Sequence, residues 1–269
     1  MEIRKENFIF YDLETNGLDH YTTGIMQITL LDSNGNIFLN EYVYPFDKRI
    51  DGTFIHGIDE KKLIEKNAIN TDELLIKLIN IIHNKYNNEK VFLIAYNNFG
   101  YDQIILENNF KIYNMYLPDN WYFIDIYPII KDLYPNMKNN YKLSTVYENL
   151  CEKKDEIEYH TSLSDTLCLY KIYKIIENND TLFMKYVRCS FHNHNILKSN
   201  LYTFYGFNKK IPFEKYNIHC IGDLYEKYKN MNFNKESYEL YLKNELNIYS
   251  HSIVNNIIYQ LDLIQHLIK

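Results

Sequence analysis

Hydrophobic positions along the first half of the chain switch repeatedly between a period of two and a helical period. "NFIFYDLE" at 7–14 is dense in strand-forming residues, and "GIMQITLLD" (24–32) and "NIFLNEYVYP" (36–45) follow with the turn signal "DSNGN" between them. Three consecutive strands in an antiparallel meander are predicted. Residues 70–88 then turn helical. Asn70 or Thr71 can cap, Asp72 and Glu73 suit the first turn, and Leu74, Leu75, Leu78, Ile79 and Ile82 make one stripe. "VFLIAY" (91–96) reads as a short buried strand, and a helix over about 101–114 follows. "WYFIDIY" (121–127) is a further strand, while "KLSTVYENLC" (142–151) and "TSLSDTLCLYKIYKIIE" (161–177) have helical spacing. The order predicts an α/β domain over 1–180, a mixed sheet with helices on its faces. Beyond 180 the pattern changes, and "ESYELYLKNELNIYSHSIVNNIIYQLDLIQHLIK" (236–269) predicts a mainly helical C-terminal subdomain over 181–269.

Composition narrows the class without naming an activity. Apolar residues make up 46% and charged residues 24% of 269 residues, ordinary values for a globular protein. Four cysteines, Cys151, Cys168, Cys189 and Cys220, lie far apart with no C-x-x-C pair, which favours a reduced intracellular protein over a disulfide scaffold. No stretch has the apolar length of a membrane span, and the N-terminus lacks the apolar region of a signal peptide, so a soluble protein of the cytoplasm or nucleus is expected. The net charge of −6 is uneven: residues 1–180 carry 18 Lys and Arg against 28 Asp and Glu, and residues 181–269 carry 11 against 7. An acidic front half disfavours electrostatic wrapping of nucleic acid, but not an enzyme that grips its substrate through metal ions.

Candidate chemistry lies in acids scattered along that acidic half. Asp12 and Glu14, two apart on a strand, must leave the same face, so two carboxylates crowd one spot. Either the strand is already emerging into solvent there, or something compensates the repulsion. Asp102 follows a buried strand at the start of a helix, where it can cap that helix or bind a ligand. His160 and Asp165 lie five apart, and both could reach one site only if the helix carrying Asp165 packs beside the strand ends; otherwise they are an exposed histidine and a solvated acid. Cys189, His192 and His194 lack an evident fourth metal ligand.

In order, the segments "FYDLETNGL", "AYNNFGYD" and "HTSLSDT" resemble the three motifs of the DEDDh 3′–5′ exonucleases, the DnaQ-like superfamily with an RNase H-like fold. "VYPFDKRIDGTFIHGI" is similar to the family's stretch ending in His-Gly-Ile, and "YKLSTVYENL" to its helix before the third motif. The likeness covers roughly 7–177. The second motif most resembles exonuclease I, and its spacing also resembles the three-prime repair exonucleases. Asn16 stands where the family usually has Thr, and Ser162 where Ala is frequent.

The resemblance implies hydrolysis of phosphodiester bonds from the 3′ end of nucleic acid with two divalent cations, Mg²⁺ or Mn²⁺, which suit carboxylate oxygens. It assigns Asp12 to both cations, Glu14 and Asp165 to the one that carries the nucleophile, Asp102 to the second, and His160 to the proton of the attacking water. Around the 3′-terminal nucleotide it puts Thr15, Asn16 and Leu18 on one loop and His56, Gly57 and Ile58 on another. Leu18 and Ile58 would pack against its base, with core packing as the alternative, and Asn98 could serve the substrate backbone or a turn. Single-stranded DNA is the expected substrate, with RNA trimming as the rival within the same chemistry. A binding module that keeps the fold without the reaction is the rival outside it. "KSNLYTFYGFNKKIPFEKY" (198–216) interleaves aromatics with Lys198, Lys209, Lys210 and Lys215, compatible with stacking on single strands or with an ordinary surface.

Overall fold

The computed structural model describes residues 3–19, 22–137, 140–151 and 160–189, together with the backbone of two strands at 210–213 and 218–220. Its contacts divide the chain into two units, Met1–Ser190 and Phe191–Lys269. In the first unit, strands β1 (Phe8–Thr15), β2 (Ile25–Leu31) and β3 (Ile37–Tyr44) form the expected antiparallel meander. Short helices α1 (Thr53–His56) and α2 (Glu60–Glu65) and a two-residue strand β4 (Ile69–Asn70) precede α3 (Thr71–Tyr86). Then come β5 (Val91–Ala95), α4 (Asp102–Ile112), β6 (Trp121–Asp125), α5 (Ile126–Leu133), α6 (Leu143–Leu150), α7 (Ser162–Ile176), α8 (Asp180–Lys185) and β7 (Val187–Cys189). The seven-stranded sheet runs β4-β3-β2-β1-β5-β6-β7, with β5 parallel to β1 and to β6. This is the mixed sheet of an RNase H-like fold.

Boundaries follow from local chemistry. Glu73 accepts the backbone N–H of Asn70 at 2.9 Å, closing the start of α3. The strand expected over 121–127 stops at Asp125, because the Asp125 carboxylate accepts the backbone N–H of Tyr127 at 2.9 Å and so caps α5. Pro128 then falls in the first turn of α5, where a missing N–H is harmless. The small elements α1, α2, α8, β4 and β7 are too short to carry a period. The sheet reaches past residue 180, since β7 pairs antiparallel with β6.

The pleat of β1 assigns its two faces. Ile9, Tyr11 and Leu13 belong to one cluster with Leu74, Leu75 and Leu78 of α3 and Ile105 and Phe110 of α4. Phe8 and Phe10 leave the opposite face, against α7: the Phe10 ring lies 5.2 Å from Tyr170 and 4.7 Å from Tyr173, and Phe8 lies 5.7 Å from Tyr173. By the same alternation Asp12 and Glu14 continue along the α7 face. Both faces of the sheet are covered, which explains why β1, β2, β5 and β6 read as nearly continuous apolar runs.

In the second unit the described backbone is an antiparallel pair, β8 (Lys210–Phe213) and β9 (Ile218–Cys220). The helix expected over 236–269, His192 and His194, and the rest of the aromatic and lysine stretch lie outside the described residues.

Candidate active site

β1 and α7 bring acids together on the α7 face of the sheet, and α4, packed on the opposite face, brings a further acid to the same strand end. Asp12 and Glu14, both half-buried, sit near the end of β1. Asp165 comes from the first turn of α7, whose start is capped by Thr161: its hydroxyl accepts the backbone N–H of Ser164 at 3.2 Å. Ligand oxygens of Asp12, Glu14 and Asp165 all lie within 4.8 Å of one another. Asp102 is the first residue of α4, buried, and its carboxylate accepts backbone N–H groups of its own residue and of Leu13. Its charge is felt at Asp12. The residue is thus both a helix-start acid and part of the acidic group.

Such crowding shows in the acidities. Burial, and then the charges of Asp102, Asp165 and Glu14, hold the Asp12 carboxyl well above the usual carboxylate range. Burial followed by Asp165 pushes Glu14 up to about 8, while the Lys62 ammonium acts in the other direction. Burial raises Asp102 to about 8 and Asp165 to about 6, the latter opposed by the charge and backbone N–H of His160. Carboxyls raised in this way and gathered within reach of one another fit a hard divalent cation, which would offset their charge and take the place of the protons held on Glu14 and Asp102. His160 is exposed next to α7, with a left-handed backbone φ of 70°.

Around this centre the expected substrate residues separate into two kinds. Leu18 is 76% exposed and Gly57 lies on the surface, with φ of 63° at the end of α1. The others are buried and occupied. Asn16 donates to Asp47 (2.7 Å) and to the carbonyl of Arg49 (2.8 Å) and accepts the Gly24 N–H at 2.7 Å. It fastens two loops together and leaves no polar side-chain atom for a ligand. Asn98, fully buried, accepts the Tyr11 hydroxyl at 2.5 Å and donates to the carbonyls of Leu93 and Ile124. Asn98 thereby joins the turn before α4 to β1, β5 and β6. His56 accepts the Ile58 N–H at 3.1 Å and its other ring nitrogen lies 3.2 Å from the Asp51 carbonyl. Ile58 is 1% exposed and packs with Met26 and Leu63, the core-packing alternative. The Thr15 hydroxyl donates to the Gly17 carbonyl at 3.0 Å.

Several contributors were not visible in the sequence. Tyr101 donates to the Gly17 carbonyl at 2.5 Å and ties the loop bearing Leu18 to the start of α4. Asp125 also accepts the Phe99 N–H at 3.1 Å and so braces the turn before Asp102. Its only signal was an acid closing an apolar strand. Lys62 lies 5.9 Å over the Tyr42 ring, on the row where Tyr42 pairs with Gln27 and Gln27 with Glu14. Phe54, 90% exposed on α1, stands on the same loop as Gly57.

A mixed sheet of this topology with carboxylates gathered at the end of its first strand defines a DnaQ-like, RNase H-like domain. The exonuclease family model matches residues 9–173, and the chain belongs to that family. It is 27% identical over 172 residues to exonuclease DPD1 of Arabidopsis thaliana, chloroplastic/mitochondrial, covering 62% of this chain and 54% of that one. It also resembles E. coli exonuclease I in complex with a dA16 oligonucleotide (20% identity, TM-score 0.52, 66% of this chain and 42% of that one). A zinc-bound E. coli exonuclease I complex with single-stranded DNA is similar at 19% identity and TM-score 0.55, over 71% of this chain and 44% of that one. The chain spans about half the length of these relatives or less, and the structural likeness is one of fold. Among the described residues no helix is long and apolar enough to cross a membrane.

Proposed function

We propose that this nuclease is a DEDDh 3′–5′ exonuclease that removes nucleoside 5′-monophosphates from the 3′ end of single-stranded DNA with two divalent cations, Mg²⁺ or Mn²⁺. The observation that carries the reading is the convergence of Asp12, Glu14 and Asp165, from two elements more than 150 residues apart in the chain, to within 4.8 Å, with the charge of Asp102 felt at Asp12. When bound, the cations would make water acidic enough to yield a nucleophile at neutral pH and would offset charge on the phosphate.

The chain's own residues do the rest. Asp12, Glu14, Asp165 and Asp102 hold the cations; His160, exposed beside Asp165, takes the proton of the attacking water. Leu18 offers an apolar surface to the terminal base, a contact that tolerates any base. The exposed Gly57 backbone would serve the ribose end. Lys62, the cation felt at Glu14, is placed for a backbone phosphate. The nuclease domain extends through β7, and residues 191–269 form a second domain. The test is digestion of 5′-labelled single- and double-stranded DNA and RNA with Mg²⁺, Mn²⁺ or EDTA. Shortening of single-stranded DNA from the 3′ end, with mononucleotide release, is expected. Intact DNA and RNA under every metal condition would refute the reading.

A further inference from the structure

Ser162 replaces the alanine frequent at this place in the third motif, and its hydroxyl is not idle. It is fully buried and lies 2.7 Å from the hydroxyl of Thr29, which is also fully buried on β2. The Thr29 hydroxyl donates to the Asn40 side-chain oxygen at 3.2 Å, so Ser162 is the donor to Thr29. Gln27 donates to the same Asn40 oxygen at 3.0 Å, and its own side-chain oxygen accepts the Ser162 backbone N–H at 3.4 Å. Ser162, Thr29, Asn40 and Gln27 therefore close a hydrogen-bonded ring spanning β2, β3 and the start of α7.

The position of the ring is what gives it meaning. Thr29 is the cross-strand partner of Asp12, and Gln27 is the partner of Glu14. Side chains directly opposite on neighbouring strands share a face about 5 Å apart. Ser162 precedes Asp165 by three residues, so the two lie on one side of α7. Three of the ring's four members are thus each next to one of the three clustered acids.

Two features bear on where the first turn of α7 sits. Further along, α7 rests on Phe8 and Phe10 through edge-on contacts of Tyr173 and Tyr170, which lie more than a turn beyond Asp165. At its start, Asp165 must stay within 4.8 Å of Asp12 and Glu14 for the three to share a cation, so any drift of this turn would part them. Directional hydrogen bonds in a buried setting are strong opponents of such drift, and a ring with its members paired meets the condition under which buried polar groups are tolerated.

We propose that Ser162, Thr29 and Gln27 are positioning residues that hold the first turn of α7 against β1 and β2, keeping Asp165 within ligand distance of Asp12 and Glu14. This rests on the cation reading of the acidic group. Outer residues that orient metal ligands commonly change affinity 10–100-fold when removed. The experiment is calorimetric titration of the full chain with Mn²⁺, alongside melting in EDTA. Ser162→Ala and Thr29→Val should each weaken Mn²⁺ binding about tenfold, and the double variant should be no worse than the poorer single one. Thr29→Ser, which restores the hydroxyl, should bind like wild type. Asn40→Ala lies at the exposed edge of the ring, so it should fold and weaken binding by a smaller factor. A merely structural ring would lower the EDTA melting temperature and leave Mn²⁺ affinity unchanged; that outcome overturns the proposal. If wild type itself binds no Mn²⁺, the cation reading fails first and the proposal falls with it.

Discussion

Asp102 offers the sharpest physical test of the acidic centre. Its carboxyl is 4% exposed and is raised from an ordinary 3.8 to about 8, first by burial. In the unfolded chain it ionises near 4. Between pH 4 and pH 8 the folded, cation-free protein therefore keeps a proton that the unfolded chain has lost. A raised carboxyl of this kind makes stability greatest at the acid end of that window and lowers it as pH rises, by about 1.4 kcal/mol per pH unit for one proton. At 2–4 °C per kcal/mol for a domain of this size, the slope is about 3–6 °C per pH unit.

Asp102→Asn keeps the shape and removes the titration. In EDTA its melting temperature should fall less steeply than wild type from pH 5.5 to 8, so that the variant becomes the more stable protein toward pH 8. Saturating Mg²⁺ should reverse the order, because cations replace protons only where the carboxylate exists. Differential scanning calorimetry at half-unit pH steps, with EDTA or Mg²⁺, reads all of this. Parallel wild-type and variant curves in EDTA would show that Asp102 is ionised in the folded protein and refute the reasoning, as would a wild-type melting temperature that rises between pH 6 and 8.

Other expectations follow from single residues. Asp165→Ala and His160→Ala should each lower the rate of mononucleotide release, the latter by about 10²–10⁴-fold, with circular dichroism unchanged; a His160→Ala protein as fast as wild type would remove that residue from proton transfer. Leu18→Ala changes an exposed side chain, so it should leave stability within about 0.5 kcal/mol while raising KM for oligonucleotides more than it lowers kcat. Asn98→Ala strands the Tyr11 hydroxyl and the carbonyls of Leu93 and Ile124 in the core. Urea unfolding should register a loss of about 3 kcal/mol from those unmade bonds. Lys62→Ala should reduce the steepness with which 1/KM falls with salt by about one ion, and an unchanged slope would deny it a phosphate contact.

Local rules carry the sequence reading a long way here. The five principal strands and four main helices were legible because each buries a face broad enough to impose a period: Leu74, Leu75 and Leu78 on α3, or the unbroken run of β5. Asp12 and Glu14 could be assigned to one face from the pleat alone, and the order of the three motifs placed the chain among the exonucleases. Elements of two to six residues, and the eight-residue α5, were not legible, since they are made by pairing and capping rather than by composition: β4 exists because β3 lies beside it, and α5 begins because Asp125 accepts the Tyr127 N–H.

Only the tertiary structure decided what each polar residue does. Asn98, Asn16 and Leu18 are all motif residues, yet folding buries the amides among backbone partners and leaves the leucine in solvent. Ser162 looked like a neutral exchange for alanine until Thr29 was found 2.7 Å away across 133 residues of chain. Periodicity reports which side of its own element a residue takes. What stands opposite, and hence whether a carboxylate is repelled, paired or ready for a cation, depends on neighbours that are remote in the chain and enters only when the sheet and α7 come together.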